Sequence, residues 1–127
     1  MSFTLIDNGS ENYEFSANVW TWKTTLEIIK KFDLLSDGKL RQMEYNATGV
    51  KLEKEEAHLI GEKIRDEILP TLAPNKRILM DLSVTDQADD GTLYKDDDEQ
   101  WKNYSTNHDW LKDFSDFCLS SKGFQVF

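Results

Sequence analysis

The side chains of this chain best suited to chemistry are carboxylates, and they are crowded. Asp86, Asp89, Asp90, Asp96, Asp97, Asp98 and Glu99 share one stretch in which Lys95 is the sole base, and Tyr94, Trp101 and Tyr104 lie in or beside it. Acidic groups next to exposed rings are what a docking surface for a basic protein needs. The charge steers the encounter and the rings supply area that can be stripped of water. Asp96, Asp97, Asp98, Glu99, Trp101 and Tyr104, together with Trp20, are therefore the candidate partner-binding residues. The plainer reading of the same segment is a solvated acidic loop beside an aromatic core.

Calcium is the other chemistry such a loop could serve. Between Asp86 and Asp97, aspartates stand at the first and fifth places of an EF-hand loop and Gly91 at the sixth. Ala88 occupies the third place, however, and Asp97 replaces the long bidentate glutamate of the twelfth. Asp90-Gly91 is more economically a turn, and no metal site is expected.

Catalytic constellations are scarce. His58, His108 and Cys118 are the only residues from which a thiol–imidazole pair could be built. Cys118 falls on or beside an apolar stripe with Trp110, Phe114 and Phe117, where cysteine behaves as a small hydrophobe. The one cysteine and two histidines lack zinc spacing, and the chain has neither a phosphate-cradling glycine loop nor a Gly-x-Ser-x-Gly elbow. No catalytic residue and no cofactor is assigned. An aromatic-lined pocket for a small ligand, using His58 or His108, is the competing reading.

The bulk properties agree with a binding protein. The 127 residues carry 24 acidic and 15 basic side chains, a net charge of −9. That charge repels nucleic-acid backbones and anionic membrane surfaces, so neither is expected as a partner. It is also unevenly spread. Residues 1–80 hold 13 acids and 11 bases, a balance of −2, whereas residues 81–127 hold 11 acids and 4 bases, a balance of −7. The length suits a single globular domain over 1–127, able to bury roughly two-thirds of its unfolded surface without a disulfide or metal. One cysteine, no basic-then-apolar leader and no long apolar run fit a cytoplasmic protein.

The elements that must position these residues follow from periodicity. Phe3–Ile6 is expected as a short strand before the turn-rich Asp7-Asn8-Gly9-Ser10. A helix is expected from near Ser16 or Asn18 to about Phe32, with Val19, Trp22, Leu26 and Ile29 on one face. Trp20 falls opposite that face, beside Lys23, Glu27 and Lys31. Leu34–Gly38 reads as a break, Lys39–Tyr45 as a strand, and Val50-Lys51-Leu52 as a brief extended piece. A second helix covers about Glu53 to Leu69, with Ala57, Ile60, Ile64 and Ile68 inward and a stop at Pro70. Ile78–Val84 is expected as one strand. A last helix runs from Asn107 or Asp109 to Ser120, Gly123 stops it, and Phe124–Phe127 closes the chain as a strand. The class is α+β, with about three helices packed on a small, mostly antiparallel sheet of short strands.

Three segments carry a resemblance: Trp20-Thr21-Trp22 early in a helix, Ala47-Thr48-Gly49-Val50 before the next, and the ending Phe114-Ser115-Asp116-Phe117-Cys118-Leu119-Ser120-Ser121-Lys122-Gly123-Phe124. Together they resemble a set of small bacterial proteins to which no activity is attached, over nearly the whole chain. The resemblance implies no catalytic residue. In general character the chain also resembles the acidic, single-domain immunity proteins that neutralise toxins, an analogy without a shared motif.

Overall fold

Alternation of apolar and polar side chains at both ends of the chain builds the main sheet. In the computed structural model, which describes residues 2–9, 13–45, 49–74, 76–79, 81–85 and 105–127, the first strand is β1 (Ser2–Asp7) and the second β2 (Glu14–Asn18). The helix α1 (Val19–Lys31) follows at once, and α2 (Asp37–Met43), β3 (Val50–Leu52) and α3 (Lys54–Lys63) come next. The chain continues through β4 (Arg77–Leu79), β5 (Val84–Thr85), β6 (Ser105–Asn107), α4 (His108–Ser120) and β7 (Phe124–Val126). The class is α+β, with four α-helices and two small antiparallel sheets among the described residues.

The larger sheet has the order β2-β1-β7-β3. Its register aligns Phe15, Leu5, Val126 and Val50 in one row across all four strands, facing the helices, and Glu14, Ile6, Gln125 and Lys51 in the next, facing away. Phe3, Leu5, Ala17, Val50, Leu52, Phe124 and Val126 are buried, as alternate positions of half-covered strands should be. The smaller sheet, β5-β4-β6, packs through β6 against α1.

The strand expected at Lys39–Tyr45 is a helix. The Ser36 hydroxyl caps it by accepting from the Lys39 amide at 3.2 Å, and Leu40 and Met43, three residues apart, both turn inward. The weak alternation there was a helical pair sampled over too few residues. The strand expected over 78–84 is a hairpin instead, β4 pairing with β5, with Leu82 in the left-handed region and its amide donating to the Leu79 carbonyl. The strand β2 was missed, although Tyr13, Phe15 and Ala17 alternate ahead of the helix.

Elsewhere the local chemistry matches the expected boundaries. Asn18 caps α1 by accepting from the Thr21 amide at 2.8 Å, and Asn107 caps α4 by accepting from the Trp110 amide at 2.9 Å. The second helix does not end at Pro70. Pro70 has no N–H and its ring crowds the carbonyl a turn earlier, and the chain widens into a π turn at Ile64–Ile68, the Leu69 amide donating to the Ile64 carbonyl, before a 3-10 turn at Leu69–Thr71.

Two contacts fix how the helices meet. Gly61 of α3 lets α4 approach, since a Cβ there would lie 2.8 Å from Leu119 Cγ and 3.1 Å from Cys118 Cβ. The Ser115 hydroxyl uses the same closeness to donate to the Gly61 carbonyl at 2.8 Å. The Trp22 indole donates to the Met43 carbonyl at 2.8 Å, and so satisfies one of the carbonyls that the end of α2 leaves without a helical partner. Replacing Trp22 by Phe keeps most of the apolar volume but strands that buried carbonyl. W22F should lose about 2 kcal/mol, read as a lower urea midpoint with an unchanged slope.

Lys39 of α2 pairs with Glu56 of α3, whose Oε1 also accepts from the Glu53 amide at 2.9 Å. Partial burial acts to raise the Glu56 pKa, but the Lys39 ammonium and the Glu53 amide outweigh it and the carboxyl titrates below its ordinary value. A carboxyl with a lowered folded-state pKa contributes stability that is present above the unfolded-state value and lost as pH falls through the folded one. Glu56→Gln retains the backbone acceptor and removes the charge, so it should cost about 1 kcal/mol or less at neutral pH. The gap to the parent should close on acidification, as followed by thermal unfolding across a pH series.

Candidate protein-docking surface

The acidic residues proposed from the sequence, Asp96, Asp97, Asp98 and Glu99, lie outside the described residues, as do Trp101, Tyr104 and the Asp86–Asp97 loop. Trp20 is described. It is 38% exposed on the side of α1 away from Trp22, where the helical wheel puts it.

The residues considered for catalysis are spread over different environments. Cys118 is fully buried on the α3-facing side of α4, and burial pushes its thiol well above the ordinary value. His58 is half-buried on α3, with Nε2 3.2 Å from the Ser121 carbonyl. His108 opens α4, its Nδ1 3.6 Å from an Asp109 carboxylate oxygen. Among the described residues, no cluster of His, Cys, Asp and Glu could hold a metal ion. A cleft of about 330 Å³ lies between α1 and α2, lined by Lys30, Asp37, Leu40, Arg41 and Glu44. It contains neither histidine and no aromatic ring, so it is not the aromatic pocket of the competing reading.

A different acidic surface is assembled from described residues. Trp110, Phe114 and Phe117 of α4 pack their rings on Phe15 or Phe124 of the larger sheet, Ser115 and Cys118 meet Gly61 of α3, and Leu111 is buried. What remains outward is Asp109, Asp113, Asp116 and Ser120, spaced i, i+4, i+7 and i+11 along one side, with Lys112 beside them. Lys112 reaches Asp116 at 3.5 Å with both side chains exposed, a loose pair that neutralises little. The spacing is present in the sequence, where the denser acidic run at 86–99 is the stronger signal.

The edge strand β2 lies alongside this stripe. The Tyr13 hydroxyl is 2.6 Å from Ser120 Oγ, and the Tyr13 ring packs on Phe117 at 5.0 Å between centroids. Phe15 lies 5.4 Å from Trp110, edge to face, and 5.5 Å from Phe117. Rising along β2 therefore means descending along α4. Phe15 and Trp110 are only half-buried, and their ring contact joins β2 to the helix that carries the stripe.

The pairing pattern also fixes where the β2 backbone points. The Asp7 amide donates to the Tyr13 carbonyl at 2.9 Å, while Thr4 exchanges both of its backbone bonds with Phe127 across β7. Antiparallel pairs alternate, so Phe3, Leu5 and Asp7 turn their backbones toward β2, and Thr4 and Ile6 turn theirs toward β7. The N–H and C=O of Glu14 and Ser16 then point away from β1, off the sheet edge, at two exposed residues.

No family model, no curated protein and no solved structure matched this chain. None of its helices among the described residues is long and apolar enough to cross a membrane.

The buried thiol generates a direct check. Cys118 should resist an aromatic disulfide reagent in the native protein near neutral pH and react fully once denatured, as followed by thiolate release. Rapid labelling of the native state would instead mean that α4 opens away from α3.

Proposed function

We propose that the protein is a non-enzymatic acidic binding module that acts on a basic protein partner, in the manner of an immunity or inhibitor protein. The observation that carries this reading is the charge imbalance, −7 over residues 81–127 against −2 over residues 1–80. A field of one sign confined to part of a chain speeds encounter with an oppositely charged surface and discourages like-charged competitors. The outward stripe Asp109-Asp113-Asp116 supports it, and so does the exposed ring of Trp20, a residue type over-represented at binding hot spots. On this reading the partner-binding residues are Asp96, Asp97, Asp98, Glu99, Trp101, Tyr104 and Trp20. One domain, without metal or cofactor, would act in a reducing compartment such as the cytoplasm, where a lone buried thiol is at ease.

The test is capture from the native cell at low salt, comparing the parent chain with one in which Asp96, Asp97, Asp98 and Glu99 are all changed to Lys. The parent should retain a basic protein whose binding weakens as salt rises, and the reversed chain should associate at least about tenfold more slowly. Recovery of no basic partner, or association indifferent to the reversal, would overturn the reading.

A further inference from the structure

We infer that β2 is a docking edge, and that its occupant is an extended segment of a basic protein with Lys or Arg at alternate positions. The inference rests on the proposed function and names the site and the partner chemistry more closely.

A sheet edge presents unpaired backbone donors and acceptors, and proteins normally blunt it with proline, a bulge, a very short strand or a covering element. The five residues of β2 contain no proline, and the register with β1 runs from Ser2 opposite Asn18 to Ile6 opposite Glu14 without interruption. Glu14 and Ser16 are exposed and aim their N–H and C=O groups outward. An added antiparallel strand can exchange backbone hydrogen bonds with both, which is how extended peptides join exposed sheet edges.

The side chains of such a strand would alternate between the two faces of the sheet. Those opposite Phe15 and Ala17 would fall on the helix side, where the half-buried rings of Phe15 and Trp110 border the stripe of Asp109, Asp113 and Asp116. Lysine and arginine fit that place by their two-part build. The aliphatic stem covers the rings and the cationic head reaches the carboxylates. A neutral strand would bring the carboxylates no added cation and an acidic one would be repelled, so charge complementarity selects among strands that the backbone alone would accept equally. The opposite face adds Glu14, which favours a basic residue directly across from it.

The experiment uses the full chain and two synthetic nine-residue peptides of identical composition, one strictly alternating lysine with threonine, the other with its lysines in one block. Binding is followed by amide NMR and by hydrogen exchange at Glu14 and Ser16. The alternating peptide should bind more tightly than the blocked one by at least about fivefold and should protect the Glu14 and Ser16 amides from exchange. Ser16→Pro removes an outward amide at a position where an edge strand tolerates proline, and should weaken binding by about tenfold or more with the parent's thermal midpoint nearly kept. Asp113→Asn with Asp116→Asn should flatten the salt dependence while leaving the amide protection in place on whatever peptide is bound.

Equal binding of the two peptides without protection at Glu14 and Ser16 overturns the docking edge but leaves the acidic binding module standing. Failure of both peptides to bind overturns the docking edge, and the module is then judged by the capture experiment alone. A parent chain that sediments as a dimer and becomes monomeric on Ser16→Pro makes the occupant a second copy, which also overturns the inference. If Ser16→Pro fails to fold, the amide protection in the parent chain decides the matter by itself.

Discussion

Phe114 is where the separate parts of the chain are held to one another. Its ring lies 5.8 Å from Trp22 of α1, 6.0 Å from Phe15 of β2, 5.3 Å from Trp110 and 6.4 Å from Phe124 of β7, mixing edge and stacked contacts. Each of these pairs contributes beyond its buried area; those with Trp22, Phe15 and Phe124 tie α4 to other elements of the fold, and the one with Trp110 stacks within α4 itself. Trp22 extends the set to Phe3 at 5.9 Å, and Phe117 extends it to Tyr13. Without Phe114, α4 would keep its contact with α3 and the Phe117 ring pairs with Phe15 and Phe124, but lose the ring that joins α1, β2 and β7 at once and so helps set its angle to the sheet. The position of the acidic stripe beside β2 depends on that angle.

A second constraint closes the sheet. The turn after β1 and the turn before β7 meet, with the Asp7 carboxylate accepting from the Gly9 and Lys122 amides at 2.9 and 3.0 Å. The Asn8 side chain donates to the Leu52 carbonyl at 3.0 Å, and its amide donates to the Gly123 carbonyl at 3.0 Å. Gly123 has φ +85°, and a Cβ there would press on the Leu52 carbonyl and lie 2.7 Å from the Asn8 amide nitrogen. Only glycine satisfies both the torsion and the space. These bonds bring β1 and β7 side by side, so among the described residues β2 is left as one edge of the sheet and β3 as the other.

Much of this was legible in the sequence, for identifiable reasons. The helices α1, α3 and α4 each carry an apolar stripe long enough to show its period, and Asn18, Asn107 and Gly123 mark their ends with side-chain or backbone chemistry that acts locally. Misreadings occurred where the signal was short. In α2, seven residues offer two buried positions, too few to tell a helical period from alternation. In β2, alternation was present but merged with the start of α1, because Asn18 ends one and caps the other. The candidate site was less legible than the fold. Nothing in the spacing Asp109-Asp113-Asp116 says that a strand will lie beside it, since that neighbour is supplied by the Tyr13–Ser120 and Phe15–Trp110 contacts across about a hundred positions of chain.

The open edge and the acidity of the chain also bear on each other. An uninterrupted edge with outward backbone groups is a hazard, because it will pair with any strand presented to it, including that of another copy. Two copies approaching edge to edge bring together molecules of charge −9, and each carries Glu14 on the strand itself. Repulsion of that kind protects an edge without a proline or a bulge, and it leaves the backbone groups available to a cationic strand. Charge can thus do what covalent blunting does elsewhere while remaining selective. It also makes the protection conditional, since salt that screens the carboxylates weakens the barrier between copies and, on the proposed reading, the attraction for a basic partner together.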